Sequence, residues 1–259
     1  MRKFLFLPLL ALLASCGKNE DCDIVTPQPE DLVSPALYAT LSQSSTDPYN
    51  GPLEVLPCET NGSFYIGNYT AKGKQVPFPA YYLITNGIGK SQKYPLRLPV
   101  GTYNVIYWGY PDYFGTAGDA YLADPTLIIG KKLNTTSLGL RKIPGDTVYY
   151  PIHSLVYGTQ NINIGKDDLQ AHLKHASAAL SVIVSETNGD AFSDAIDSMW
   201  IYISNIYSNL NYFSARPEGT FKTISFGLKP STNRTEFNNN FVSVFPSQPN
   251  PMFQIFVQL

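Results

Sequence analysis

Along most of the chain, apolar and polar residues alternate with a period of two, which is typical of β-strands that bury one face. In the first half of the chain, the strand-like runs are residues 64–69, 80–85, 94–98, 102–108, 127–129, 148–155 and 160–164. In the second half, they are residues 178–186, 199–204, 223–228 and 253–259. Only residues 165–175 and 190–197 could hold helices, and both segments are too short to build a core. The pattern therefore predicts an all-β fold.

The strand-like runs fall into two sets, which are separated by the polar segment at residues 165–168. The spacing of the runs is that of β-sandwiches. We therefore expect an N-terminal β-sandwich domain at residues 31–167 and a C-terminal β-sandwich domain at residues 168–259. The last run reaches Leu259 without a polar tail. The second domain is then either truncated, which is the simpler explanation, or completed by something outside it.

The N-terminus has the pattern of an export signal. Arg2 and Lys3 precede an apolar run at residues 4–14, which is far shorter than a membrane-spanning helix. The sequence then reads leucine, alanine, serine and Cys16, a spacing that resembles the bacterial lipobox, in which the cysteine sulfur is alkylated with diacylglycerol. We expect residues 1–15 to be a lipoprotein signal peptide and Cys16 to be lipidated. The alternative is an ordinary secretory signal that contains a cysteine.

Residues 16–30 are expected to form an acylated tether between the membrane and the folded chain. Two or more buried acyl chains hold a protein stably on a bilayer. Residues 17–23 include three acids and resemble the acidic signal that sends Bacteroidales-type lipoproteins to the outer face of the outer membrane. A plain solvated tether is the alternative. The expected location is therefore the cell outer membrane, lipid-anchored and exposed at the surface.

The composition and net charge limit the classes of molecule that are expected as partners of the protein. The formal net charge is −2 and no basic run occurs, so nucleic acid is not expected as a partner. Only 15% of the residues are charged, whereas 18 are tyrosine and 14 phenylalanine, which suits an extracellular β protein.

With Cys16 assigned to lipid, Cys22 and Cys58 could form a disulfide in an oxidising compartment, or remain two free thiols.

Several segments together resemble the fimbrillin superfamily of Bacteroidales-type bacteria, and within it the lipoprotein (FimB-like) anchor subunits. The lipobox comes first, and residues 98–109 are similar to the family's leucine–x–x–glycine–x–tyrosine turn and strand. Residues 146–150 follow, and residues 173–182 are similar to the strand that opens the second domain, although His175 stands where arginine is frequent. The resemblance implies two transthyretin-like (Greek-key) β-sandwich domains and assembly with fimbrial subunits by β-strand donation.

No motif indicates an enzyme. The spacing of His172 and His175 could ligate a metal on a helix, but no acid stands at a matching offset and the segment borders a strand. No serine lies in a Gly-x-Ser-x-Gly elbow. We therefore expect no catalytic residue, no metal and no cofactor.

An aromatic cluster at residues 107–114 leaves a second function open. Trp108, Tyr110 and Tyr113 could form a platform on which sugar rings stack, because aromatic rings offer flat apolar faces. Alternatively, half of these rings belong to the core, as in a central strand covered on both faces. The sequence thus favours an anchor or accessory subunit of fimbriae with a role in cell adhesion. The alternative is a surface glycan-binding lipoprotein of a polysaccharide-uptake system.

Overall fold

The computed structural model describes residues 28–42, 47–91, 94–111 and 122–259. Regular structure in these ranges is almost entirely β, which confirms the predicted fold class. Two short 3₁₀ helices lie at Pro29–Asp31 and Leu133–Thr135. The strands are β1 (Leu32–Val33), β2 (Leu37–Leu41), β3 (Asp47–Pro48), β4 (Gly51–Cys58), β5 (Asn68–Tyr69), β6 (Gln75–Val76), β7 (Ala80–Thr85), β8 (Ile88–Ser91), β9 (Leu98–Pro99), β10 (Gly101–Gly109), β11 (Leu122–Ala123), β12 (Ser137–Leu140), β13 (Val156–Ile164), β14 (Leu169–His175), β15 (Ala178–Leu180), β16 (Ile183–Ser185), β17 (Ser198–Asn211), β18 (Pro217–Pro230), β19 (Glu236–Asn238), β20 (Val242–Val244) and β21 (Phe253–Gln258).

The first sheet closes on itself around a core. Its strand order is β14-β13-β10-β4-β7-β8-β2-β3, and β14 also pairs in parallel with β2. The side chains that alternate toward the inside form one apolar cluster, which includes Leu53 and Val55 of β4 and Val105 and Tyr107 of β10. We call this cluster the inner core.

The second sheet covers part of the outer face of the first. Its order is β11-β12-β17-β18-β19-β16, and β21 pairs with β17. Strands β17 and β18 form a long antiparallel hairpin with register shifts between Ile203 and Ile206 and between Tyr207 and Asn209. Such shifts increase the twist of a strand pair. Side chains of this sheet pack against Leu56, Ile106 and Trp108 of the first sheet in a second cluster, which we call the outer core.

Residues 169–175 form strand β14, so the possible helix predicted at residues 165–175 is wrong. Leu169, Ala171 and Leu173 are buried and the residues between them are exposed, which is the period of a strand. Residues 190–197 also form no helix. Strand β14 pairs with β13 and β2 of the first sheet, and the domain bounds stay predictions. The number of domains and the Greek-key connectivity stay predictions.

Candidate functional site

Strand β21 carries apolar side chains that the described chain covers only in part. Phe253, Ile255 and Val257 lie on one face and remain 53%, 51% and 48% exposed. The antiparallel register places Ile255 opposite Ile201 and Val257 opposite Met199 of β17, and both of these β17 side chains are buried in the outer core. Side chains that lie opposite each other in a strand pair share a face of the sheet. The core-facing surface of the second sheet therefore continues onto β21 without a covering layer.

The other face of β21 carries one aromatic ring, Phe256, between Gln254 and Gln258. Phe256 is 56% exposed and lies opposite Trp200, which is 42% exposed. The ring of Phe256 packs edge-on against Tyr202, with 4.9 Å between the centroids. Contiguous exposed apolar surface of this kind marks interaction sites in soluble proteins.

The position of β21 is fixed by hydrogen bonds at both of its ends. The backbone N–H of Asp197 donates to the carbonyl of Gln258 at 2.8 Å, and the N–H of Ser204 donates to the carbonyl of Met252 at 3.0 Å. Within the described ranges β21 pairs with β17 alone, so its outer edge offers unpaired N–H and C=O groups. An ordered strand with a free edge and apolar faces can pair with a strand of another chain.

A partly buried acid, Glu54, lies where the two sheets meet. Its carboxylate accepts hydrogen bonds from the hydroxyls of Tyr81 at 2.5 Å and Tyr212 at 3.4 Å. Burial raises the pKa of Glu54 from its ordinary value near 4.5 to about 7, and the nearby charge of Asp124 adds to the rise. Burial also raises the pKa of the Tyr110 hydroxyl. Glu54 is thus partly protonated at neutral pH, and its bond to Tyr212 links β4 to the segment that directly follows β17.

We expect the stability of the protein to fall as the pH rises from about 4.5 to about 7. In this window the folded protein binds the Glu54 proton more tightly than the unfolded chain does, so removing the proton costs stability, on the order of 2 kcal/mol. Glu54→Gln, which stays neutral and keeps the tyrosine bonds, should flatten this dependence. Thermal unfolding at several pH values measures it, and an unchanged slope in the variant would contradict the assignment.

The predicted sugar platform is wrong at Trp108. The Trp108 ring is completely buried in the outer core, and its indole N–H donates to the Tyr212 carbonyl at 3.0 Å. It stacks on the ring of Tyr212, with 5.7 Å between centroids, and contacts Tyr157 at 4.9 Å. Trp108 therefore has no free face for a ligand, and the alternative interpretation as a core residue is confirmed. Tyr113 lies outside the described residues.

The cysteine predictions remain open. Cys16 and Cys22 lie outside the described residues, so lipidation and the Cys22–Cys58 disulfide stay predictions. Cys58 is completely buried and has no disulfide partner in the part of the chain that the structure describes. Burial, together with the neighbouring charge of Glu59, raises the pKa of its thiol to about 12.

The two histidines of the possible metal motif do not converge. His172 and His175 lie three residues apart on β14, so their side chains point to opposite faces of the strand. The Nδ1 atom of His172 hydrogen-bonds to the Thr40 hydroxyl at 3.0 Å. In the described ranges, no group of three or more histidine, cysteine or acidic side chains could hold a metal ion. The same ranges contain no helix long and apolar enough to cross a membrane.

Two solved structures from Bacteroides ovatus show a shared fold. A candidate adhesin from Bacteroides ovatus is similar over 87% of this chain and 73% of its own length, with 11% identity and a TM-score of 0.56. A second candidate adhesin from Bacteroides ovatus is similar over 86% of this chain and 71% of its own, with 14% identity and a TM-score of 0.50. For the fimbrial anchor protein Mfa2 from Porphyromonas gingivalis, the coverage is 85% and 76%, the identity 10% and the TM-score 0.49.

Comparison of the sequence with models of protein families identifies the family of this chain. No curated protein sequence matches the chain. A family model described as fimbrillin-A associated anchor proteins Mfa1 and Mfa2 matches residues 27–259, which confirms the resemblance to the fimbrillin superfamily. This family consists of anchor proteins and is not a family of enzymes. Because the match covers almost the whole chain, the protein belongs to the family of fimbrillin-A associated anchor proteins Mfa1 and Mfa2.

Proposed function

We propose that this anchor-family protein is a lipid-attached anchor or accessory subunit of surface fimbriae that binds a neighbouring fimbrial subunit through β21. A strand of that subunit would pair with the free edge of β21 and cover its apolar face, which is strand donation between subunits. Family membership supports the fimbrial role. The observation that carries the proposal is β21, with apolar side chains exposed on both faces and an unpaired edge.

The energetics favour a protein partner at β21. Burying an exposed aliphatic or aromatic side chain contributes about 1.5–3 kcal/mol when the burial is complete, and about half of that for a side chain already half buried. Phe253, Ile255 and Val257 would together supply several kcal/mol, in addition to the backbone hydrogen bonds at the strand edge. This is enough for a specific interaction between subunits that are already held close together.

The proposed attachment to the outer membrane uses Cys16. The twelve residues from Cys16 to Pro27, directly before the described chain begins at Gln28, can span at most about 40 Å when extended. The folded part would therefore stay within that distance of the bilayer surface. A subunit held so close to the membrane suits a place at the base of a fimbria.

We expect Ile255→Asp to weaken the binding of the neighbouring fimbrial subunit. The variant loses the apolar contact and places a charge in a surface from which water is excluded on binding. We expect this change to reduce the binding free energy by about 3 kcal/mol, or the affinity by roughly 100-fold. The matched control is Ile183→Asp, an isoleucine that is 61% exposed on β16 at another edge of the same sheet. Affinity capture from solubilised outer membranes would measure the co-purified fimbrial subunit, and counts of shed fimbriae would measure retention.

Comparing the two variants shows whether the fimbrial subunit docks on β21. We expect Ile255→Asp to lose the subunit and shed fimbriae, and Ile183→Asp to behave like the wild type. Both substitutions lie on exposed positions, and an unchanged unfolding temperature would show that each variant is folded. Equal retention by both variants would exclude β21 as the docking strand.

A further inference from the structure

A polar cleft opens where the second sheet stops covering the first. On the outer face of β10, Ile106 and Trp108 are buried under the second sheet, whereas Asn104, two residues earlier on the same face, is only partly covered. Its cross-strand partner on β13, Asn161, is exposed. Two adjoining hollows of about 610 and 510 Å³ share Asn104, Asn161 and Phe213. Each hollow has the size of a small-molecule site.

The floor and one wall of the cleft are rich in side-chain amides. Asn61, Asn104, Asn134 and Asn161 line it. The Nδ2 atom of Asn104 donates to the Gly62 carbonyl at 3.1 Å, which holds the loop that follows β4. In the described part of the chain, the amides of Asn61, Asn134 and Asn161 have no hydrogen-bond partner. Each such amide offers donors and an acceptor on one planar group, which matches the adjacent hydroxyls of a saccharide.

A buried hydroxyl also lacks a partner at this site. The Oγ atom of Ser63 is buried, lines the larger hollow and makes no hydrogen bond with any described residue. The great majority of buried polar atoms in folded proteins are hydrogen-bonded. Because this Oγ atom exposes almost no surface to solvent, it is not itself a contact for a ligand in the open cleft.

The cleft also has aromatic surfaces and a positive charge. Phe64 is 39% exposed in the larger hollow, and Lys132 Nζ lies 5.8 Å from the centroid of its ring. Arg216 lines the smaller hollow, and among the described residues no acidic side chain lines either hollow. Lys132 and Arg216 are the two cations that could pair with carboxylate or sulfate groups of a ligand. Exposed ring surface adds apolar contact with the C–H face of a sugar.

The wall around Phe213 is held in place by the protein itself. The Asn211 side chain accepts from the backbone N–H groups of Phe213 at 3.2 Å and Ser214 at 3.1 Å, and the Tyr157 hydroxyl donates to the Phe213 carbonyl. These bonds fix the turn after β17 against β13. A preformed wall lowers the entropic cost of binding a ligand.

We propose that this cleft, lined by Asn61, Asn104, Asn134 and Asn161 between Lys132 and Arg216, binds an acidic oligosaccharide. Its amides and cations fit hydroxyl and carboxylate or sulfate groups. This activity does not depend on the docking of a fimbrial subunit at β21. It would allow an anchor or accessory subunit to contact an acidic glycan at the cell surface.

Calorimetry on the detergent-solubilised full chain tests the proposal. The probes are tetragalacturonic acid, a sulfated chondroitin tetrasaccharide and neutral maltotetraose. We expect at least one acidic probe to bind at least tenfold more tightly than maltotetraose. Asn161→Ala should weaken that binding at least fivefold, and the control Asn188→Ala, an exposed asparagine in a turn outside the cleft, should not change it. Arg216→Gln should reduce the preference for the acidic probe over the neutral one.

Several results would overturn the proposal. No binding of any probe at 10 mM to the folded protein would do so, as would equal binding by wild type and Asn161→Ala. Binding of an acidic decapeptide that depends on Asn161, with no saccharide bound, would assign the cleft to peptide instead. Ile255→Asp should bind saccharide normally, so a failure of this test and a failure of the β21 test are distinguishable.

Discussion

Trp108→Ala is expected to lower the free energy of unfolding by about 3–5 kcal/mol, the range for removing a large aromatic side chain from a packed core. The ring is completely buried, packs against Tyr157 and Tyr212, and donates a hydrogen bond to a backbone carbonyl that would be left without its partner. Because the ring joins the outer face of β10 to the second sheet, its loss should loosen the contact between the sheets. Denaturant unfolding measures the change.

The chain provides its own control for this substitution. Its other tryptophan, Trp200, is 42% exposed on β17, and Trp200→Ala should cost about 1 kcal/mol or less. If Trp108→Ala cost as little as Trp200→Ala, Trp108 would not be a core residue. An exposed aromatic platform at this position would then have to be considered again.

Cys16→Ala should release the protein from the membrane. Acyl chains contribute about 0.8 kcal/mol for each buried CH₂ group, so two or more chains account for nearly all of the expected membrane affinity. We expect the wild type in the membrane fraction and the variant almost entirely in the soluble fraction. Metabolic labelling with an acyl-chain analogue should mark the wild type and the control Cys22→Ala but not Cys16→Ala. A Cys16→Ala protein that still labels and sediments with membranes would contradict the lipid anchor.

Alternation of polarity predicted several strands, but it did not identify β14, which also alternates. Residues 80–85 were predicted as a strand and form β7 with the same bounds, and most of β10 and β21 was also predicted from alternation. Strand β4 was missed. It is central and buried on both faces, so Leu53, Val55, Leu56 and Cys58 form a nearly continuous apolar run, and its two prolines weaken the strand signal.

The candidate sites could be predicted only in part, because exposure depends on which layer covers a strand. Alternation at residues 253–259 indicated that Phe253, Ile255 and Val257 share a face, but a local pattern cannot show that this face lies uncovered. The cleft forms from residues that are far apart in the sequence. Asn104 and Asn161 come together only through the register of β10 with β13, which no single stretch of sequence encodes.

Photo-cross-linking from β21 on intact cells tests the central claim most directly. A photo-reactive phenylalanine analogue would replace Phe256, and the control position would be Phe221, which is 40% exposed on β18 of the same sheet. Docking through β21 predicts a covalent product between position 256 and a second fimbrial subunit, identified by mass spectrometry, and none from position 221. The absence of any fimbrial subunit cross-linked to position 256, or the same product from both positions, would contradict it.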